Sequence, residues 1–464
     1  MMVSKEREQP VSLNKSATWL AAMALSFIIA LAILVLRPLQ LNMPQAIVVS
    51  AVVLTIAFWS FDLVNKNCAS VFLLVILTLF SDVHPRVVFA FTLSETFPMI
   101  VLTYLFSQAI SNSEIIDNLC MPLLTRYVRT VDQFLLSVVV LFYTTIYLIP
   151  QPLARLIIVS VLYQNFLMKS HIRTDIQRIL IYAVYLLYAV VNVSSKDADI
   201  IMNYVAVEVS GSTLSNATWV RDMFIPAFLS CILIVFLFKA VFRKELSGFA
   251  FEFSLNEKKP ELSKSQKVAL MIIGLTILGW IAGTYCHVNS TIVTFLAIVA
   301  LYGFHILKPS DLKSIDWTTL LFLTAAFSIG GTMKACGAAN KIFAVFTNIF
   351  PDQPSLAYLL VIITVTVFVH LFLGSNTTTL SVVVPGLVIL CGKMIPIHII
   401  IYLCILAVSY HAILPFHSVA MMIGVSNHSF PARYVTRIGI PMTVLIYLMA
   451  AFIFIPYWKL IGLF

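Results

Sequence analysis

Residues 17–36, ATWLAAMALSFIIALAILVL, run for twenty positions without a charged side chain. A helix needs about 20 residues to cross the hydrocarbon of a bilayer. Residues 288–304 and 356–373 are built the same way. Lipid offers the backbone no hydrogen bonds, so such a block must satisfy its own N–H and C=O groups, as a helix does. Strands of a β-barrel would alternate apolar and polar residues, and these blocks do not. Charged residues make up 11% of the chain, against about 25% in a soluble globular protein. That is too few to coat a surface facing water. The chain therefore reads as an all-α polytopic membrane protein. Its first block is longer than the apolar core of a signal peptide and no A-x-A site follows, so it is read as a retained span.

Eleven crossings are expected: 17–36, 44–60, 67–83, 96–112, 177–210 (interrupted), 221–242, 267–286, 288–306, 318–335, 398–426 (interrupted) and 437–460. Two further apolar stretches, 132–168 and 356–393, are too long for one crossing. At about 1.5 Å per residue each would reach roughly 55 Å, against a core of about 30 Å. Each breaks near its middle, at Pro150-Gln151-Pro152 and Gly374-Ser375-Asn376. A re-entrant hairpin fits both the length and the break. With the N-terminus cytoplasmic, Lys and Arg concentrate in the inner segments (Lys5, Arg7, Lys66, Arg126, Arg129, Lys258, Lys259 and others), which the positive-inside rule supports. Trp19, Trp59, Trp317 and Trp458 fall near span ends, where interfacial tryptophans are expected.

The halves match. The hairpin breaks at 150 and 375 are offset by 225 positions, Thr96 and Thr318 by 222, and the helix breaks near 194–197 and 415–418 by about 221. Each half holds three spans, a hairpin and two more spans. An odd number of crossings inverts the second half, an arrangement that places a substrate site at mid-bilayer between the repeats. The expected divisions are 1–43 (tail and first span), 44–242 (first repeat), 243–266 (cytoplasmic linker) and 267–464 (second, inverted repeat).

The sharpest local feature is Leu373-Gly374-Ser375-Asn376-Thr377-Thr378-Thr379. Small hydroxyl and amide residues deep in an apolar run are costly unless satisfied. At a hairpin tip their oxygens and freed carbonyls suit a hard cation. Asn376 and Thr377 can donate to a carboxylate, and the half-helix starting near Thr378 adds its positive end. The plainer reading is a polar cluster that glues helices together. Seven cysteines are scattered with no C-x-x-C pair, so they read as single buried thiols, not as a zinc site or disulfide framework. No H-E-x-x-H, G-x-S-x-G or P-loop pattern occurs, and no basic stripe with interleaved aromatics, so neither an enzyme nor a nucleic-acid partner is expected.

With Ser375-Asn376-Thr377 at the second tip, the chain resembles the divalent anion:sodium symporter family, which includes di- and tricarboxylate transporters. Weaker likenesses lie at Ile315-Asp316-Trp317, Leu414-Pro415-Phe416 and the closing Phe454-Ile455-Pro456-Tyr457-Trp458. The family has Ser-Asn-Thr at both tips; here the first tip is Pro150-Gln151-Pro152, which removes backbone donors. Its Gly-Thr-Pro-Pro-like first break is replaced by Ser194-Ser195-Lys196-Asp197, and the second break is Pro415-Phe416-His417-Ser418. The resemblance implies substrate contacts at Asn376, Thr377, Thr378, Gln151, Ser195 and Ser418. It implies a sodium ion at Ser375 and Asn376, no other cofactor, and is compatible with a homodimer.

Arg155, Lys196, Asp197 and Asp199 lie at depth, where ionisable groups are functional candidates. Arg155 or Lys196 is expected to supply a fixed positive charge where the family would hold sodium; the plainer reading pairs Lys196 with Asp197 or Asp199. His370, His411 and His417 flank the second motif and break, as proton carriers or as ordinary hydrogen-bonded residues. Together these features predict a secondary active transporter of small organic anions, di- or tricarboxylates, in a bacterial inner membrane. Coupling is open between sodium symport, proton symport and exchange. The alternatives are a related inorganic-ion or sodium/proton transporter, or a transport-dead membrane sensor or scaffold.

Overall fold

The computed structural model describes residues 14–60, 63–94, 96–149, 151–170, 172–247, 251, 262–286, 289–343, 350–373 and 375–463. Lys5, Arg7, Lys258, Lys259, Pro150, Gly374 and most of the expected 243–266 linker lie outside the described residues. Among the described residues all regular structure is helical.

After α1 (Asn14–Leu36) the first half runs α2 (Met43–Ser60), α3 (Lys66–Phe80), α4 (Pro85–Val88), α5 (Thr96–Ser113), α6 (Ile115–Tyr127), α7 (Val131–Leu148), α8 (Pro152–Lys169), α9 (Thr174–Val191), α10 (Met202–Ser210) and α11 (Asn216–Val241). The second runs α12 (Lys264–Cys286), α13 (Ser290–Gly303), α14 (Trp317–Ala335), α15 (Ala338–Phe343), α16 (Leu356–Leu373), α17 (Asn376–Cys391), α18 (Ile397–Tyr410), α19 (Val419–Ser426), α20 (Ala432–Met449) and α21 (Ile455–Leu460). One stretch of π-helix, Ala450–Phe454, joins the last two. The boundaries follow local chemistry. Thr130 and Gln133 form a capping box at the start of α7, and Asn65, Ser215 and Asp316 cap α3, α11 and α14 through their side chains. The expected crossings lack α6, whose charged and polar residues broke the apolar run that signals a span.

Leaving aside α4, the helices from α2 to α11 pair in order with those from α12 to α20, and much of the packing repeats with them, although α10 lies on α17 and α14 with no comparable contact of α19 on α8 and α5. Helix α3 packs on α14 as α13 packs on α5. Helices α7 and α8 pack on α9 as α16 and α17 pack on α18, and α19 reaches α9 as α10 reaches α18. Helix α9 also meets α18, and α11 meets α20. These contacts are unchanged when the halves are exchanged, as a two-fold relation requires.

Large apolar side chains cover the outside: Phe27, Ile28 and Leu31 on α1, Phe228, Ile232 and Phe236 on α11, Phe295, Leu296 and Val299 on α13, and Val444, Leu448 and Phe452 toward the C-terminus are all exposed. Water would penalise such a surface; lipid does not. By contrast α9 and α18 are buried along nearly their whole length. Helices apolar on every side belong in the centre. Four described helices are long and apolar enough to cross a membrane by themselves: Val131–Leu148, Thr174–Val191, Asn216–Val241 and Ala432–Leu460. The first of these is an arm of the expected hairpin. At about 1.5 Å per residue it runs nearly the hydrocarbon depth, so the hairpin is a deep element and not a shallow loop.

Two expectations need correction. Of the four tryptophans, Trp317 is exposed at a helix start, whereas Trp59 and Trp458 are buried inside the protein. Trp59 stacks edge-on against Phe322, and Trp458 donates from Nε1 to Asp222 O at 3.0 Å. Their positions near span ends reflect packing between helices, not the lipid interface; the side chain of Trp19 lies outside the described residues. Among the described cysteines, Cys231, Cys391 and Cys404 are buried, but Cys68 is exposed and Cys120 and Cys336 are half-buried. They lie on helix faces turned partly outward.

Polar ties join the halves. Buried Asp222 accepts from Tyr402 Oη at 2.9 Å and pairs with Arg221 at 2.7 Å. Arg437 on α20 pairs with Glu245 at 2.5 Å, donates to Val241 O and covers the Phe242 ring. Gly439, one half-turn on, lies against the backbone after α18: a Cβ there would stand 2.1 Å from Ala412 O. Gly439→Ala is therefore expected to destabilise by at least the ~1–3 kcal/mol of ordinary overpacking. Gly303→Ala, where a Cβ meets nothing within 4 Å, is the matched control. Melting curves of the two purified variants in detergent check this; equal melting temperatures would show that the close approach carries no strain.

Candidate functional site

A helix broken inside an apolar layer frees carbonyls that must find donors. After α9 the chain passes through Asn192–Ser195 and a 3-10 turn, Lys196–Asp199, before α10. Asn203 Nδ2 donates to Asn192 O at 2.9 Å and Ser195 O at 3.0 Å. Trp219 Nε1 donates to Val193 O at 2.9 Å. Ala198 O receives Arg155 Nη2. Asp199 Oδ1 accepts from Ile201 N and Met202 N at 3.1 and 2.8 Å and so caps α10. Every contact is local to the break or comes from α8 and α11.

The hairpin tips are built alike. Gln151 Oε1 accepts from Ala154 N at the start of α8; Ser375 Oγ accepts from Thr378 N, and from Thr378 Oγ1 at 3.0 Å, at the start of α17. Each break is then braced to its own hairpin by one side chain. In the first half the fully buried Arg155 holds Asn192 Oδ1 at 2.7 Å, Ala198 O, and Ile149 O at 2.8 Å. In the second, buried His370 meets His411 Nδ1 at 3.0 Å and His417 O at 3.1 Å. Asn192 and His411 are the residues that end α9 and α18. A carbonyl only accepts, so His370 Nε2 carries a proton, and in a neutral pair its Nδ1 accepts from His411.

Between the four pieces lies a cavity of about 100 Å³, roomy enough for several waters or one small ligand. Pro152 and Leu153 open α8 onto it, Ile201 and Met202 open α10, Asn376 and Thr377 open α17, and Val419 and Ala420 open α19. Four helix N-termini thus face one space, two from each half. The first turn of a helix has N–H groups without intrahelical partners and a partial positive charge. Asp199 already takes those of α10, so the side suited to an anion is that of α17 and α19, where no protein carboxylate lies among the lining residues. Asp199 is the one charged side chain among the described lining residues, and its carboxylate is turned onto the α10 backbone.

The sequence-predicted residues divide. Ser375, Asn376, Thr377 and Ser418 line the cavity. Thr378 and Gln151 are buried and used in capping the two tips. Ser195 turns away, donating to Asn216 Oδ1 at 2.9 Å. Lys196 lies over the Tyr204 ring and donates to Leu214 O at 3.1 Å, while Tyr204 Oη donates to Asp197 at 2.8 Å. Tyrosine thus bridges the expected lysine–aspartate pair. His417 accepts from Ile413 N through Nδ1, and the hydrogen bond from His370 goes to its carbonyl, the two ring centroids lying 5.4 Å apart. Arg155 stands behind the lining residues Asn192 and Tyr188. Tyr188, Asn192, Met202 and Ser409 line the cavity without having been singled out; Asn192 carried a signal, as an amide ending a long apolar run beside the first break.

Among family models, residues 16–464 match the transmembrane region of sodium:sulfate symporters. Among curated proteins, an uncharacterized transporter of Methanocaldococcus jannaschii is 27% identical over 139 residues, 28% of this chain and 31% of that protein. A membrane protein of Cupriavidus necator is 24% identical over 213 residues, 44% of this chain and 41% of that protein. The chain thus aligns with less than half the length of these two relatives.

Asn203 is the donor on which the first break most depends. Asn203→Ala orphans the buried Asn192 carbonyl, at a cost of about 1–3 kcal/mol, leaves Ser195 O with only its bond from Ala198 N, and should lower the melting temperature clearly. Asn203→Asp, which turns a carboxylate toward those carbonyls, should prevent recovery of monodisperse protein. Size-exclusion profiles and melting curves read both, and a wild-type profile for Asn203→Asp would contradict the assignment.

Proposed function

The chain belongs to the sodium:sulfate symporter family, and from that membership we propose that it is a secondary transporter of small divalent anions, dicarboxylates foremost, working by alternating access. The observation that carries this reading is the convergence of four helix N-termini on one small cavity. The N-termini come in two pairs, α8 with α10 and α17 with α19. An anion can set a carboxylate against α17 and α19, with Asn376, Thr377 and Ser418 donating from the sides; α8 opens with a proline and α10 is already capped by Asp199. Sulfate, as the compact divalent anion, is the second candidate and fits the family's description.

The coupling ion is proposed to be sodium at the second tip. Buried Thr379 Oγ1 and Asn376 Oδ1 make no standard hydrogen bond within the protein. With Ser375 they form an all-oxygen donor set of the kind hard cations take. Residues 44–242 and 267–464 act as two inverted units joined by the 243–266 linker, in a cytoplasmic membrane with the N-terminus inside. The histidine cluster favours one second reading, proton coupling.

Uptake of labelled succinate into proteoliposomes tests the proposal. Uptake is expected with inward sodium, to be inhibited by excess unlabelled dicarboxylate, and to fall at least about tenfold in Asn376→Ala, as for a lost hydrogen bond to a charged ligand. Sulfate competing better than succinate would reassign the substrate. Uptake driven by a pH gradient alone would replace sodium by protons. Ligand-induced stabilisation without flux would indicate a sensor or scaffold.

A further inference from the structure

We propose that the guanidinium of Arg155 is a built-in cation that fills, in the first half, the place taken by an exogenous cation in the second. The inference rests on the sodium-coupled reading above. Arg155 is the fourth residue of α8, and Thr379 is the fourth residue of α17. The N-cap side chain of each helix accepts from the same relative N–H, that of Ala154 and of Thr378, so the two arms are in register. At this shared position the halves differ. Thr379 Oγ1 is buried without a partner, as is Asn376 Oδ1 nearby in sequence. Arg155 instead extends a charge into its tip, and oxygen atoms gather on it: Ile149 O from the end of α7, Asn192 Oδ1 from the end of α9, and Ala198 O from the 3-10 turn.

These acceptors are neutral oxygens from a hairpin tip and a helix break, wholly buried around one positive charge. That is the donor chemistry of a hard-cation site, with a guanidinium in place of the metal. An arginine suits the role because it stays charged and its rigid fork reaches several acceptors at once. Lys196 does not share it, being placed over Tyr204 and bonded to Leu214 O. The first half thus needs no cation from solution at this position, and transport is expected to depend on cation binding at the second tip only.

Arg155→Thr copies the second-half residue into the first and should convert the tethered charge into a requirement for a free one. Two readouts are used on purified protein. In melting experiments, millimolar guanidinium should raise the melting temperature of Arg155→Thr and leave that of the wild type unchanged, and sodium, which both bind at the second tip, should raise that of Arg155→Thr by more than that of the wild type, by the linkage of binding to stability. In proteoliposomes, succinate uptake by Arg155→Thr should fall at least about tenfold for want of the charged hydrogen bonds and recover when guanidinium is added. Its sodium dependence should steepen from a Hill coefficient of about one toward about two. Arg155→Lys, which keeps a charge at the tip, should retain the wild-type sodium dependence and guards against a threonine variant that fails to fold.

A folded Arg155→Thr that guanidinium neither stabilises nor rescues, and that sodium stabilises no more than the wild type, would overturn the proposal. So would Arg155→Lys with steepened sodium dependence. Failure of the transport reading is distinguishable: it would show as a wild type without uptake, while the melting experiment still reports on the tethered cation.

Discussion

A helix that stops halfway through lipid leaves carbonyl groups that neither lipid nor the helix itself can satisfy. Everything at the centre of this protein follows from meeting that requirement twice. Asn203, Trp219 and Arg155 take the carbonyls released after α9, and His370 takes one released after α18. Each donor also fixes where the next half-helix begins. The bonds that make the breaks tolerable are therefore the bonds that aim α10 and α19 at the cavity between them. Stability of the core and geometry of the site rest on one set of atoms.

The two solutions differ in chemistry although they match in place. The first break is held by an arginine, whose charge does not titrate; the second is held by an imidazole, whose charge state responds to its surroundings. Around the second tip, polar oxygens are left over; around the first, oxygens from the tip and the break are gathered on Arg155. The matched frame thus has one end whose oxygens are gathered on a guanidinium and one with buried oxygens to spare.

The matched halves, the hairpin tips and the Ser375-Asn376-Thr377 motif could be read from the chain because each interrupts an apolar run with residues lipid will not tolerate unpaired. The same logic picked out Arg155 and missed Asn203, Asp222 and Trp219. These lie in short or mixed segments where a polar or aromatic residue is unremarkable, and their importance comes from partners distant along the chain, such as Tyr402 for Asp222. Lys196 and Asp197 were conspicuous for their charge, yet Tyr204 engages both of them away from the cavity. The tryptophans misled for a related reason. A ring near a span end can face headgroups or a neighbouring helix, and only the packing of α14 and α21 decides which.

Helix α20 touches two things that are far apart in the chain. Through Arg437 it grips Glu245 and Val241, at the start of the segment linking the halves; through Gly439 it presses, backbone to backbone, on Ala412 beside the second break. No flexible side chain cushions the second contact. One half-turn of α20 thus ties the end of α11 to the backbone that follows α18. The end of α11 and the second break are therefore held at a fixed spacing by two neighbouring residues of one helix.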